Sequence, residues 1–503
     1  MPDADLILAI DQGTTGTTAL ILDRQLAVLA RANREFTQHF PHSGWVEHEP
    51  DQIWTSVGGA IVEALGRANV DAARIAAVGI TNQRETSLLW RRSDGRPVHR
   101  ALVWQDRRTA DVCKQLREAG HEETIRSRTG LVLDPYFSAT KLAWTLDHVE
   151  GARAAAERGE LAAGTIDTYL VWRMTGGAVH VTEPTNASRT LLWPLAGRAR
   201  TTGSGDSDWD HRLCEIFRVP PSVLPDVRPC TSRFGETKGV PGLPDGVPIH
   251  GIAGDQQAAL FGQACFARGQ AKCTYGTGAF VVLNTGDEIV RSEHGLLTTV
   301  GWQIGDQTTY SLEGSAFMAG AVVQWLRDGL GMIETAAEVE DLAYTVPDSD
   351  GVVLVPAHAG LGAPHWRPDA RGLIRGISRG TTRAHIARAA LEGIALEVTD
   401  LLEAMASDLG APIEGLRVDG GAAANDLLMQ IQCDLLGVTL ARPTILESTA
   451  LGATFLAGLG VGLWPDTQAV AASWKQDRRF IPAGDPVKLA ALREAWTVAV
   501  GQA

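Results

Sequence analysis

The chain reads as an α/β protein built twice over, two halves of one design facing each other across a cleft. Three observations predict this. A Gly/Thr-rich hairpin of strand, tight turn and strand occurs at residues 6–22 and again at 271–286. Strand-like apolar runs alternate with amphipathic helical stretches throughout. Between the hairpins, residues 219–251 gather Pro220, Pro221, Pro225, Pro229, Pro241, Pro244 and Pro248, and the periodic patterning stops. At 503 residues the chain exceeds what one hydrophobic core supports, and its 45% hydrophobic residues suffice to fill two or three domains. A hinge or boundary just beyond the Pro-rich stretch divides the chain into domains 1–252 and 253–503.

The first hairpin runs from Leu6 through Ile10 to Asp11, turns through Gly13, Thr14, Thr15 and Gly16, and returns at Ala19–Leu22. Gly13 and Gly16 permit positive φ and aim successive N–H groups at one anion, while Thr14 and Thr15 add hydroxyl donors. Asp11, closing the strand, can hold a hydrated Mg²⁺ against the same phosphate. A plain turn whose Asp and Thr cap backbone groups accounts for these residues equally, so other segments must decide. Residues 51–69 follow as a helix with Ile53, Trp54, Val57, Ile61, Ala64 and Leu65 on one face, then a strand over 75–80. Residues 197–210, rich in Gly, Ser, Asp and Arg, read as a flexible surface loop. Residues 247–258 place a second carboxylate, Asp255, at the end of a strand and before an apolar helix, a position that an N-cap also explains. The second hairpin turns at Thr277 and Gly278. Residues 415–425 then form a strand, the turn Asp419, Gly420, Gly421, and a helix start at Asn425, where a ribose or purine can lie against bare backbone.

A formal charge of −14 argues against a nucleic-acid or anionic-membrane partner, because Lys and Arg are scattered and form no basic face. The longest apolar runs fall far short of a bilayer span, and the acidic start is unlike a signal peptide, so a cytoplasmic protein is expected. The six cysteines show no Cys-x-x-Cys spacing and no His partner at metal spacing, which predicts reduced thiols without a disulfide or structural metal.

The three segments around Asp11, Thr277 and Asp419, in this order, resemble the phosphate, phosphate and adenosine motifs of the ATPases that include actin and hexokinase. Within that superfamily the chain resembles the FGGY carbohydrate kinases, in particular those acting on glycerol. The resemblance covers residues 5–463, with specific matches at 79–86, 103–109, 135–138, 185–190, 254–258, 313–320 and 372–392. The central signature at 136–148 fits through Lys141 and Trp144, with Thr145 where an aliphatic residue is usual. The resemblance implies two duplicated ribonuclease-H-like domains of the actin/hexokinase type with an ATP cleft between them.

Carried over residue by residue, the resemblance implies that Arg84, Glu85, Tyr136, Asp255 and Gln256 hydrogen-bond the hydroxyls of glycerol, with Trp104 and Phe280 as aromatic walls. A small triol offers little apolar area, so several charged or amide hydrogen bonds in a dry pocket must orient it. Without the resemblance, Trp104 reads as a core residue and Arg84–Glu85 as a surface ion pair. Asp255 is implied as general base, Thr14, Thr15, Gly16 and Thr277 as phosphate contacts, Asp11 as the Mg²⁺ ligand, and Gly320, Gln324, Gly421 and Asn425 as nucleotide contacts. The implied partners are ATP, glycerol and further copies of the chain, as a dimer or tetramer.

Two departures stand out. The family's first hairpin carries an Arg where this chain has Thr18, which implies one cationic phosphate contact fewer and weaker nucleotide binding. Some relatives bind fructose 1,6-bisphosphate through a Gly-Gly-x-Gly-Gly-x-Arg loop, whereas residues 234–248 here contain neither paired glycines nor an Arg after them. A kinase for a longer polyol or ketose would differ at the pocket residues named above. An actin-like ATPase would leave those residues without a purpose, and a non-catalytic sensor would have lost Asp11 or Asp255.

Overall fold

A computed structural model describes residues 4–197 and 209–503. Most of the expected flexible loop at 197–210 therefore lies outside the described residues. The first half is organised on a six-stranded sheet comprising β1 (Leu6–Gln12), β2 (Gly16–Leu22), β3 (Val28–Glu35), β4 (Ile75–Asn82), β5 (Arg233–Glu236) and β6 (Pro248–Gly254), in the order β5-β6-β4-β1-β2-β3. The second half carries β7 (Gln270–Tyr275), β8 (Ala279–Gly286), β9 (Leu297–Ile304), β10 (Gln307–Ala316), β11 (Gly415–Asp419), β12 (Leu440–Pro443) and β13 (Gln476–Phe480), in the order β9-β10-β8-β7-β11-β12-β13.

The duplication is visible strand by strand. In each half a hairpin strand pairs antiparallel with its return strand and parallel with a later one, β1 with β2 and β4, β7 with β8 and β11. Each return strand takes a further antiparallel neighbour, and each parallel run ends in an antiparallel edge strand. The crossover helices cover the faces, as parallel strands require.

Helix α1 (Pro50–Ala68) shows how local sequence makes an element. Pro50 sits at the first helical position, Ile53, Val57, Ile61 and Leu65 recur on one buried face, and Asn69 ends the helix in the left-handed conformation. Each buried aliphatic side chain contributes about 1.5–3 kcal/mol. Trp54, expected on that face, is only partly buried at its margin. The Pro-rich stretch is packed and not free: Phe234, Val240, Leu243 and Val247 join the first core, and β5 pairs with β6. Strand β6 runs on to Gly254 before helix α4 begins, with α2 (Ser138–His148), α3 (Pro184–Ala187) and α4 (Asp255–Gly262) named in chain order.

Helices α5 (Arg383–Leu409) and α6 (Asp426–Leu436) serve the second core, whereas α7 (Ser448–Gly460), late in the chain, lies against β1, β4 and β6 of the first sheet and against α4. The approach is close because the contact positions lack side chains. A Cβ on Gly452 would stand 1.8 Å from the Ala258 carbonyl oxygen, and one on Gly79 would stand 2.4 Å from that of Ala453. Ala9, Leu20, Phe261, Trp302 and Phe455 form a core shared by both halves. Among the described residues no helix is long and apolar enough to cross a membrane.

Candidate active site

The turn between β1 and β2 is held from both sides. The Gly13 N–H donates to Gly16 O at 2.9 Å, and the Gln83 side chain donates to Gly13 O at 3.1 Å. Neither Gly13 nor Gly16 takes the positive φ expected of it; what demands glycine at 16 is room, since a Cβ there would meet the Arg34 carbonyl oxygen at 2.9 Å. Thr14 is half-buried and accepts a 3.0 Å hydrogen bond from Trp104 Nε1, while Thr15 is exposed. Thr18, paired across the hairpin with Asp11, accepts from Asn33 Nδ2. Asp11 accepts a 2.6 Å hydrogen bond from Thr449 Oγ1 at the start of α7, so the first strand of one half touches the second half directly. Burial pushes the Asp11 carboxyl up to about 6, the Thr449 bond opposing it and nearby Asp255 adding to it.

Beyond β4, Glu85 sits at φ 59, in the left-handed region that non-glycine residues occupy only under structural constraint. Arg84 and Glu85 are 3% and 1% exposed, so a buried network stands where a surface ion pair was expected. Arg84 grips Glu313 of β10 with two bonds of 2.5 and 2.8 Å, and its Nε lies 3.0 Å from Asp255. Glu85 accepts from Arg189 Nε at 2.5 Å. Burial alone would raise the Glu313 carboxyl, but Arg189 and Arg84 outweigh it and hold it at about 2. The Tyr136 ring meets Trp104 edge to face at 5.6 Å, and burial raises its hydroxyl above the ordinary tyrosine value. Trp104 is thus half-buried and anchored to the 13–16 turn through Thr14, where a core residue was the reading without the resemblance.

Asp255 and Gln256 open α4. Gln256 Oε1 accepts from Lys272 Nζ, which also donates to Thr274 Oγ1 at 2.8 Å, leaving the Gln256 amide N–H groups for another partner. Burial lowers the Lys272 ammonium below its ordinary value, and Asp419 and Asp255 oppose that shift. Phe280 stands on β8 opposite Thr274, half-buried, with no ring contact to Trp104 or Tyr136. Lys272 at the first cluster and Thr277 at the next are five residues apart on one strand and turn, about 16 Å when extended.

Thr277, Gly320, Gln324, Gly421 and Asn425 all line one cavity of about 430 Å³ in the second half, a size that suits a small-molecule ligand. Its rim is made of backbone turns: Gly320 N donates to Gly276 O at 2.9 Å, and a Cβ on Gly320 would stand 2.6 Å from that oxygen. Gly420 has φ 86 and lies against the Tyr275 backbone, which bends the chain into the cavity wall at Gly421. Asn425 caps α6 through Oδ1 to Leu428 N, which leaves its NH₂ group for a ligand.

Residues 6–262 match the N-terminal domain, and residues 271–461 the C-terminal domain, of the FGGY family of carbohydrate kinases. The chain belongs to that family. A Myxococcus xanthus protein named glycerol kinase is 56% identical over 97% of this chain and 97% of its own, and one from Trichlorobacter lovleyi is 55% identical over 98% of each. The crystal structure of Plasmodium falciparum glycerol kinase with ADP superposes with a TM-score of 0.91 at 35% identity, covering 99% of this chain and 98% of that one. Ligand-bound xylulose kinase from Lactobacillus acidophilus, at 22% identity and a TM-score of 0.85 over 99% and 97% of the two chains, shares the FGGY fold. Glu313, Arg189, Lys272 and Thr449 bond to residues of this candidate site, although sequence pattern assigns them no role. Arg189 and Glu313 lie inside the segments 185–190 and 313–320 that carry the family resemblance, which is the signal in the sequence that marks them.

Proposed function

We propose that this chain transfers the γ-phosphoryl group of ATP to a terminal hydroxyl of glycerol, forming sn-glycerol 3-phosphate and ADP. The observation that carries the reading is the Asp255 carboxylate, which heads α4 and lies 3.0 Å from Nε of the buried Arg84, together with the edge-to-face pair of Trp104 and Tyr136. Glycerol lies against the two rings, with Arg84, Glu85 and the Gln256 amide as hydroxyl partners and Phe280 as a further wall. Asp255 accepts the hydroxyl proton as that oxygen bonds to the γ-phosphorus and the bond to the β-phosphate oxygen breaks. The cavity lined by Thr277, Gly320, Gln324, Gly421 and Asn425 takes the nucleotide, whose phosphates reach back to Thr14, Thr15 and the 13–16 turn. Asp11, a half-buried carboxylate with Asp255 close by, suits a cation; Mg²⁺ there would neutralise polyphosphate charge. A cytoplasmic setting, a homo-oligomer of two or four copies, and domains 1–252 and 253–503 belong to the same proposal.

The high identity to proteins named glycerol kinase supports glycerol over a ketose or sugar acid. Coupled ADP release measured across glycerol, dihydroxyacetone, xylulose, ribulose and gluconate tests this. The expected result is a kcat/KM for glycerol well above that for every other substrate, and a preference for xylulose or gluconate overturns the reading.

A further inference from the structure

Asp255 hangs from the last residue of β6, and one buried relay holds that residue. The Gly254 N–H donates to Thr185 Oγ1 at 2.8 Å, and the same hydroxyl donates to Glu183 Oε1 at 2.6 Å. A hydroxyl has one proton, so committing it to Glu183 turns a lone pair toward Gly254. The Glu183 carboxylate, fully buried, also accepts from the N–H groups of Thr185 and Asn186 at 2.7 and 2.8 Å, from Asn186 Nδ2 at 2.9 Å and from Cys230 Sγ at 3.1 Å. Asn186 exchanges two 3.0 Å amide bonds with Asn82, the register partner of Gly254 on β4 and two residues before Arg84. One carboxylate therefore steadies both strand ends from which Asp255 and Arg84 extend.

We propose that Thr185, held by Glu183, is a positioning residue for Asp255. Its hydroxyl sets the junction of β6 and α4 so that the Asp255 carboxylate meets the substrate hydroxyl. Without that acceptor the Gly254 N–H is a buried orphan, and the junction shifts to find another partner. A displacement of about 1 Å at a reacting group lowers a rate on the order of 10²-fold. The inference rests on reading Asp255 as the general base.

Steady-state kinetics with glycerol and ATP on Thr185→Val, Thr185→Ser, Asp255→Asn and the Thr185→Val/Asp255→Asn double variant test it, with thermal melts alongside. Thr185→Val is expected to lower kcat roughly 10–100-fold with the KM for ATP nearly unchanged, and Thr185→Ser to restore most of it. The double variant should be no slower than Asp255→Asn alone, because no base is left to position. If Thr185→Val does not fold, Thr185→Ala carries the same expectation. A melting point that falls while kcat holds, a serine that fails to rescue, or losses that multiply in the double variant would each overturn the role. Wild-type turnover by Asp255→Asn would instead remove the general-base reading, whatever Thr185 does.

Discussion

Arg84 and Glu313 form a two-pronged ion pair, with contacts of 2.5 and 2.8 Å, that ties the first half of the molecule to the second beside Asp255. Both side chains are nearly fully buried, and Arg189 approaches the same carboxylate at 3.4 Å. The pair therefore serves two ends at once, orienting the guanidinium that faces Asp255 and closing the domain contact. Removing one member of such a pair leaves an uncompensated charge in the interior.

Glu313→Ala is accordingly expected to destabilise the protein by roughly 3–5 kcal/mol, with Glu313→Gln milder. The KM for glycerol should rise more than that for ATP, because Arg84 loses its fixed orientation. The sign with pH follows from the depressed carboxyl: the pair's stability is present above the usual glutamate value and is lost as pH falls toward about 2. Acid melts of wild type and Glu313→Gln check this, and parallel curves below pH 4.5 would contradict it.

Asp255→Asn should lower kcat by roughly 10²–10⁴-fold while the melting temperature stays near wild type, since an amide cannot take the hydroxyl proton. Single-turnover phosphorylation of glycerol reads the chemical step directly.

Millimolar fructose 1,6-bisphosphate should leave activity unchanged. In the 234–248 segment the Gly239 N–H donates to Asp245 Oδ1 at 2.7 Å, the Gly246 N–H to Thr237 O and the Val247 N–H to Thr237 Oγ1, so these donors are already used. Pro241, Pro244 and Pro248 supply none, and Asp245 repels a phosphate. Titrating the bisphosphate into a glycerol-phosphorylation assay is the measurement, and saturable inhibition would place a binding site elsewhere on the surface.

Glu397, on α5, is fully buried with Oε2 unpartnered, and burial, reinforced by Asp400, pushes its carboxyl up to about 8. A carboxyl whose folded value is raised favours folding below its unfolded value and withdraws that support as pH rises toward 8. Glu397→Gln should therefore melt higher than wild type at pH 7.5, by a margin on the order of 1–3 kcal/mol, and converge with it near pH 5. A constant difference across that window would show that titration of Glu397 is not the cause.

Much of the architecture is legible in the residue pattern alone. The two hairpins, helix α1, and the places of Asp11 and Asp255 at strand ends follow from apolar periodicity and turn residues, which act over a few neighbours. The glycines mark the limit of that logic. Gly13 and Gly16 read locally as sites of backbone freedom, whereas Gly16 is needed because the Arg34 carbonyl of a neighbouring strand lies where a Cβ would go. Likewise, Arg84 and Glu85, adjacent in sequence, read as a surface ion pair; they do lie 3.9 Å apart, but buried, with Glu85 in the left-handed region and the shorter bonds running from Arg84 to Glu313 and from Arg189 to Glu85.

The duplicated α/β plan and the family can thus be read from the residues alone, because each is written in short-range pattern. Which charges meet is settled by the folded chain. Glu313 lies 229 residues from Arg84, Thr449 lies 438 from Asp11, and Thr185 lies 69 from Gly254. Such pairings arise when sheets stack and helices cross, and burial then makes a partner obligatory: a charge or N–H that could sit alone in water must be matched once water is excluded.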